Sequence, residues 1–584
     1  MPDDRLRQLF LSAADLRQRG DLDAAQAIYT SIHEEHPLNA DALHALGMLA
    51  HARGDHHAAA GFIWHALDLN PQNFQYLADL SAVWMVLGCH RLSAEAAKDA
   101  LRLNPQSAEM ALNAGLAMRE LGDIDASLDF ARIAVNLNPK LDVAQALIGL
   151  NLASQGDRSG SIAALRQAMR INPNRTDLHS YIIYALEQDE GYDQQAIRAE
   201  LDHWNRIHAL PLRHLIKPHP PRDPARKKIR IGWVSPDFAL HPVGRCMLPV
   251  LQAFDRRRFE SFCYSVVLKP DEITAACRQA ADTWRDISAL DLDRTDELIR
   301  RDRPDVLVDL ALHTRRNRLL LFARKPAPVQ VIYLSYPGTS GMDAIDYRIS
   351  NPRLDPPGSD LSKYSEHTLM LSGSYFCYRP LIAIGDISPP PALKNRFVTF
   401  GCLNACEKLT PGAIDLWSEI LSSVPGSRMI LFVPSEVFRS KIRDRVRSAG
   451  IDASRIEFVA FQSWQGYVAT YNRIDIALDT FPRNGGITSC DALWMGVPVV
   501  TLIGDTAVRR MCYSMLYDVG HTQWAAASPD QYVKIAANLA GDVPSLARVR
   551  SQLRAEIESS PLMDAAAVAG DLERVLSQVA MRLR

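Results

Sequence analysis

A helical solenoid followed by two doubly wound α/β domains is the fold class this 584-residue sequence predicts, and three observations carry the prediction. A 34-residue period runs through the first third of the chain. A stretch rich in proline and basic residues then interrupts all periodicity. Beyond it, short apolar runs alternate with amphipathic helical stretches, and that alternation stops and restarts once.

The period is carried by two independent series in fixed phase. Proline falls at Pro37, Pro71, Pro105, Pro139 and Pro173, and glycine at Gly20, Gly54, Gly88, Gly122 and Gly156. Glycine breaks one helix from the next. Small residues at Ala25, Ala59, Ser93, Ser127 and Ser161 let the pair pack closely, and phrases such as LDLNP and LRLNP close the second helix, which does not continue easily into a residue before proline. This pattern resembles the tetratricopeptide repeat, with five units over about residues 6 to 175 and a degenerate sixth from Thr176 to Leu210, where Gly191 is displaced by one. Each pair buries its apolar face only against its neighbours, so the array stacks into a superhelix whose concave surface suits a peptide or protein. The HEEH stretch, His33 to His36, lacks metalloprotease spacing and sits where a repeat ends, so it reads as structural.

Residues 211–228, PLRHLIKPHPPRDPARKK, read as a semi-rigid connector. The strands expected after it are KIRIGWVS, FESFCYSVV, DVLVDLAL and VQVIYLS. After a second break at 380–392 come RFVTFGCLN, RMILFV, RIEFVAF, RIDIALDTF and VPVVTLI, and the tail from about Pro529 is helical. Continuous apolar runs suit parallel strands buried on both faces. The expected domains are therefore a repeat superhelix at 1–210, a linker at 211–228, and α/β domains at 229–392 and 393–584, with a ligand in the cleft at the carboxyl ends of the strands.

Composition removes several classes. Lys plus Arg total 65 against 67 Asp plus Glu, a formal net charge of −2, so a nucleic-acid partner is a poor expectation. No apolar run reaches the length of a membrane span and the start has no signal-peptide core, which places the chain in the cytoplasm. The nine cysteines are scattered; Cys402 and Cys406 are four apart, and no metal-ligand set stands out. There is no GxxxxGK[ST] loop, no GxGxxG after a strand and no GxSxG elbow, which counts against a P-loop ATPase, a standard dehydrogenase and an α/β-hydrolase.

Four loops at strand ends carry the chemistry. In DTFPRNGGITSCDALWMGVPVV, residues 479–500, a strand ends at Asp479, the backbone turns through Asn484, Gly485 and Gly486, and a helix begins near Thr488. Such a helix start offers unpaired N–H groups and partial positive charge to a diphosphate; Thr488 or Ser489 adds a hydroxyl and Asp491 reaches a ribose hydroxyl. The competing reading makes Thr488 and Asp491 only a capping pair. Lys408 lies just ahead of Thr410 and Pro411, an N-cap and first helical position, where a second positive charge calls for an anion. His241 follows the opening strand of the first α/β half beside Asp237 and Pro242, either facing the cleft or as a structural turn residue. The small-residue loop from Pro337 through Gly338 and Thr339 to Gly341 suits close approach of a ligand.

Repeats followed by SPDFALHPVG, KPAPVQVIYLSYPGTSGMDAIDY, TFGCLNACEKLTP and YNRIDIALDTFPRNGGITSCDALWMGVPVVTL resemble the O-linked N-acetylglucosamine transferase and SPINDLY family, above all its bacterial members. The resemblance implies a GT-B catalytic region and inverting, metal-independent transfer of a sugar to Ser or Thr of proteins. The donor it implies is a nucleotide sugar, UDP-GlcNAc first and GDP-fucose or another UDP-hexose as alternatives, with no further cofactor. It implies that Lys408 contacts the diphosphate, Thr488 a phosphate and Asp491 the ribose, that His241 is a base or an orienting group, and that the Pro337–Gly341 loop borders the sugar. Gly486 and Ile487 stand where relatives carry a hydroxyl, and Arg483 where bacterial relatives often have tyrosine. A glycan acceptor, or a repeat scaffold whose transferase half has decayed, are the competing readings. Partners expected are a protein or peptide acceptor and the nucleotide sugar, without nucleic acid or membrane; homo-oligomerisation is left open.

Overall fold

The computed structural model describes residues 2–223, 225–380 and 387–581. Part of the expected 380–392 break, residues 381–386, lies outside the described residues. The chain divides into two compact units, residues 1–173 with 434–437, and residues 174–433 with 438–584.

The first unit is five antiparallel helix pairs, from Pro2–Gln18 and Leu22–Glu35 to Asp142–Ser154 and Arg158–Ile171. The five periodic glycines all adopt positive φ, between 71° and 83°, the left-handed turn a side chain resists. Ala25, Ala59, Ser93, Ser127 and Ser161 are all buried, and two of the serines use the close approach: Ser93 Oγ donates to Ser81 O at 2.8 Å and Ser127 Oγ to Gly115 O at 2.6 Å. Asp21, Asp55, Asp123 and Asp157 cap the second helix of their pairs through a side-chain oxygen.

A sixth pair follows as Thr176–Leu186 and Gln194–Trp204, each of 11 residues, but it groups with the second unit. Gly191 has no positive φ, so the turn that propagates the solenoid is not repeated there. The second helix runs into a π-helical turn, Asn205–Ala209, and a 3₁₀ turn, Leu210–Leu215. The connector beyond is pinned to the first sheet, because Arg226 pairs with Asp305 and donates to Arg303 O at 3.0 Å.

Two wholly parallel sheets form the rest. The first contains β1 (Ile229–Ser235), β2 (Phe259–Ser265), β3 (Thr283–Asp286), β4 (Val306–Asp309), β5 (Val329–Ile332), β6 (Tyr347–Ser350) and β7 (His367–Met370), in the order β3-β2-β1-β4-β5-β6-β7. The second contains β8 (Thr399–Cys402), β9 (Arg428–Phe432), β10 (Ile456–Val459), β11 (Ile476–Leu478), β12 (Val499–Leu502) and β13 (Ala525–Ala526), in the order β10-β9-β8-β11-β12-β13. Strand order therefore reverses between β1 and β4 in one sheet and between β8 and β11 in the other. A crevice opens at each reversal, where consecutive crossovers leave to opposite sides.

All nine strands expected from the sequence form. Those not anticipated, β3, β6, β7 and β13, have two to four residues and are edge strands or next to one, where an apolar run is unnecessary. The tail forms three helices, and the last, Ala565–Met581, packs on the Pro242–Ala253 helix of the first sheet. Its Asp571 accepts from Ser372 N at 2.6 Å and Gly373 N at 2.9 Å, and its Glu573 accepts from Asp255 N at 2.6 Å. The chain end is thus tied back to the first sheet.

Candidate functional site

Lys408 and the 479–491 loop are brought together by the β8/β11 reversal, because one follows β8 and the other follows β11. Thr410 caps the Pro411–Ser423 helix by accepting from Ala413 N at 3.1 Å, with Pro411 in the first turn. The short 3₁₀ turn Cys406–Lys408 ahead of it aims Lys408 across to the neighbouring loop, where Nζ donates to Asn484 O at 2.8 Å. Burial, with Arg483 nearby, lowers the Lys408 ammonium to about 8. An ammonium held that low is short of negative charge.

The loop itself is organised by Asp479. This buried carboxylate accepts from Gly485 N at 2.6 Å, Thr480 N at 2.9 Å, Thr501 Oγ1 at 2.7 Å and Asn404 Nδ2 at 3.2 Å. Burial raises its pKa, and those donors together with Lys408 oppose the rise. Asn404 in turn accepts from the Thr488 hydroxyl. The helix Ile487–Trp494 then begins after Gly486, which offers no side-chain cap. Its first backbone N–H groups open on a cleft of about 500 Å³ lined by His241, Lys408, Arg483, Gly486, Thr488 and Asp491 among others.

Several expected ligand residues are placed elsewhere. Gly485 lines no part of this cleft, and its N–H is already taken by Asp479. Asn484 is buried beneath the loop, donating to Thr480 O at 3.1 Å, and Ser489 is buried against Gly485 on the core side of the helix. Pro337, Gly338 and Thr339 also lie off the cleft. Arg348 binds the carbonyls of Pro337 and Gly338 at 3.1 and 3.2 Å, Thr339 donates to Glu366 Oε2 at 2.6 Å, and Gly338 and Thr339 face the Gln194–Trp204 helix instead. Leu334 and Ser335, at the start of the same loop, reach the cleft in their place.

Asp491 is not a capping partner of Thr488. It forms a bidentate ion pair with Arg245, at 2.7 and 3.1 Å, and accepts from Tyr378 at 2.8 Å and Tyr467 at 3.2 Å. That pair joins the second sheet to the first, since Arg245 lies on the Pro242–Ala253 helix. Burial works against the Arg245 charge, but Asp491 more than restores it and holds the guanidinium above its ordinary pKa. Tyr378 and Trp464 also flank the guanidinium, 5.4 and 5.2 Å from its carbon.

His241 caps the same helix at its N-terminus, one turn before Arg245. Its Nδ1 accepts from Val243 N at 3.4 Å and lies 3.6 Å from Asp237 Oδ2, and the side chain is 46 % exposed. Surrounding protein lowers its pKa while Asp237 opposes this. Gly244 makes the arrangement feasible, because a Cβ there would stand 2.2 Å from Ala239 O and 2.7 Å from Asp237 O.

Arg483 supplies the feature sequence reasoning flagged without placing. It is 5 % exposed, lies between Tyr184 and Tyr336 with its carbon 4.1 and 4.9 Å from the ring centroids, and leaves Nε and Nη1 without a hydrogen-bond partner among the described residues. An adjoining, mostly apolar pocket of about 320 Å³ shares Ala405, Trp464 and Tyr467 with the cleft and extends to Phe432 and Phe461. Arg245, Tyr378, Tyr467 and Trp464 were not legible as site residues because nothing local marks them.

Residues 172–380 and 391–572 match the model of glycosyl transferase family 41, two-thirds of the chain and both sheets. The chain belongs to glycosyl transferase family 41. Residues 10–74 and 87–142 match a tetratricopeptide repeat. Among curated relatives, the probable UDP-N-acetylglucosamine–peptide N-acetylglucosaminyltransferase SPINDLY of Petunia hybrida is 37 % identical over 360 residues, 60 % of this chain and 38 % of that protein. The UDP-N-acetylglucosamine–peptide N-acetylglucosaminyltransferase of Caenorhabditis elegans is 24 % identical over 468 residues, 60 % of this chain and 41 % of that protein. The chain thus spans well under half the length of these family 41 relatives. A solved O-GlcNAc transferase mutant of Thermobaculum terrenum aligns with TM-score 0.80 and 33 % identity, covering 87 % of this chain and 98 % of that one. The two-sheet region of this family 41 chain is accordingly of the GT-B kind. Among the described residues no helix is long and apolar enough to cross a membrane.

Proposed function

We propose that this chain transfers a sugar, GlcNAc from UDP-GlcNAc in the first instance, to Ser or Thr hydroxyls of a protein acceptor engaged by the repeats, and that it works in the cytoplasm. The observation that carries the reading is the convergence, around one cleft, of Lys408, Arg483 and the uncapped start of the Ile487–Trp494 helix. Three sources of positive potential facing one space suit a leaving diphosphate. The acidic lining residue, Asp491, is neutralised by Arg245, which favours a leaving group stabilised by protein cations without a metal. The apolar side pocket beyond Trp464 is sized for a nucleobase.

Attack of the acceptor oxygen on the anomeric carbon, in line with the departing diphosphate, inverts that centre. His241 orients the acceptor: with Nδ1 accepting from Val243 N, the neutral ring carries its proton on Nε2 and presents a donor. The acceptor proton then leaves to a donor phosphate oxygen. The Arg245 pair takes up the carboxylate that would otherwise meet the ribose, so ribose contacts come from the aromatic wall.

A donor panel read by nucleotide release tests the proposal: UDP-GlcNAc, GDP-fucose, UDP-glucose and UDP-glucuronate, each with and without protein acceptor. Release and acceptor mass gain with UDP-GlcNAc are expected. Binding of no nucleotide at all by calorimetry would instead leave a repeat scaffold, and mass gain only on glycans would move the acceptor class. Arg483 favours one second reading, a donor whose sugar carries a carboxylate, and preference for UDP-glucuronate would establish it.

Nucleotide affinity should depend on pH with a definite sign. A bound diphosphate favours charged Lys408, so its pKa in the complex lies above the value of about 8 in the free protein. Affinity for UDP is therefore flat below that point and falls as pH rises through it, by about tenfold at one unit above. Calorimetric titration at pH 7 and pH 9 checks this, and equal affinities would remove Lys408 from the diphosphate site.

A further inference from the structure

Away from the cleft, the sixth helix pair gathers histidines and a glutamate in one place. Glu200 and His203 are three apart on the Gln194–Trp204 helix and so share a face. His179 reaches them from the Thr176–Leu186 helix. His179 Nε2 lies 3.0 Å from Glu200 Oε1, His203 Nδ1 lies 3.9 Å from the same oxygen, and the three atoms are all within 4.8 Å of one another. Donor atoms bound at about 2.1 Å around a tetrahedral ion stand about 3.4 Å apart. A small turn of His203, whose side chain is 42 % exposed, closes the set.

The surroundings match what an imidazole ligand requires. A metal-bound histidine generally passes its other ring N–H to an acceptor that fixes its orientation. Here the second nitrogen of fully buried His179, Nδ1, faces His208 Nε2 at 3.0 Å. The π-helical turn Asn205–Ala209 carries His208 at that position, immediately after the helix that bears Glu200 and His203. Two imidazoles and one carboxylate, with a side open to solvent, suit a borderline divalent ion that keeps one water.

We propose that His179 Nε2, Glu200 Oε1 and His203 Nδ1 form a Zn²⁺ site that cross-links the two helices of the sixth pair. The ion replaces the proton shared between His179 and Glu200 and makes no contact with the transfer reaction. Its effect on the cleft is mechanical. The Thr176–Leu186 helix carries Tyr184, which packs on Arg483, so fixing that helix fixes one wall of the cleft.

The test uses the full chain after chelation and dialysis, titrated with Co²⁺ as a spectroscopic stand-in and then with Zn²⁺. One Co²⁺ per chain with the visible absorption of a four-coordinate nitrogen and oxygen site is expected, and Zn²⁺ should displace it. Zn²⁺ should also raise the melting temperature of the wild-type chain. His203→Ala and Glu200→Gln should each weaken binding at least about tenfold and remove the thermal shift. Glu200→Gln keeps a hydrogen-bond acceptor for His179, which guards against simple misfolding. His521→Asn, in a separate histidine and glutamate pair at 2.7 Å, should leave binding unchanged. No stoichiometric binding, binding that survives both substitutions, or a thiolate-to-cobalt band would each overturn the assignment.

Discussion

Replacing Lys408 by alanine is expected to lower sugar-transfer turnover by about 10² to 10³ while leaving the fold as stable as before. The size is that of removing one preorganised donor from a site of developing charge, roughly 3 to 4 kcal/mol of transition-state stabilisation. The second half follows from linkage. The Lys408 ammonium titrates at about 8 in the folded chain, below its ordinary 10.5, so at pH 7 the folded state carries a proton it holds less tightly than the unfolded state does. That charge opposes folding in the empty protein, and the penalty fades as pH rises above about 8. Alanine removes the penalty along with one hydrogen bond to Asn484 O, two terms of opposite sign. Turnover by nucleotide release and the midpoint of chemical denaturation should therefore part company. A variant that loses stability in proportion to activity would make Lys408 a structural residue.

Arg245→Ala should have the opposite signature, a loss of about 3 to 5 kcal/mol of stability. Asp491 is 5 % exposed, and it would remain buried with only the Tyr378 and Tyr467 hydroxyls to share its charge. Because the pair joins the two sheets, the loss falls on the seam between them. Asp491→Asn should be costly for the converse reason, stranding a guanidinium flanked by Tyr378 and Trp464. The double change Arg245→Ala with Asp491→Asn, which removes both charges, should recover part of the lost stability. Denaturant titration of the four proteins completes the cycle, and additive effects would show that the pair is not coupled.

The repeat register is legible in sequence because it is local. A left-handed glycine turn every 34 residues and a small residue five positions on dictate the helix pair wherever they occur. The nine anticipated strands are legible because a parallel strand covered on both faces must be apolar throughout. Short edge strands such as β3, with its sequence TWRD, carry no such mark. Within the site, Lys408 and Thr488 could be placed on the cleft from their positions at strand ends next to helix starts. Asn484, Gly485 and Ser489 share that sequence context, yet Asp479 claims the Gly485 N–H and the other two side chains turn into the core.

The sequence alone therefore determined the architecture, the family and the loop that presents a helix start to the cleft, since each rests on neighbours along the chain. Only the tertiary structure decided which loop residues line the cleft and that Arg245, 246 positions away, takes up Asp491. It also decided that His179 meets Glu200 and His203 across a turn. Hydrogen-bonding and charge satisfaction inside a packed interior are settled by whatever groups arrive from distant segments, and no local pattern records that competition.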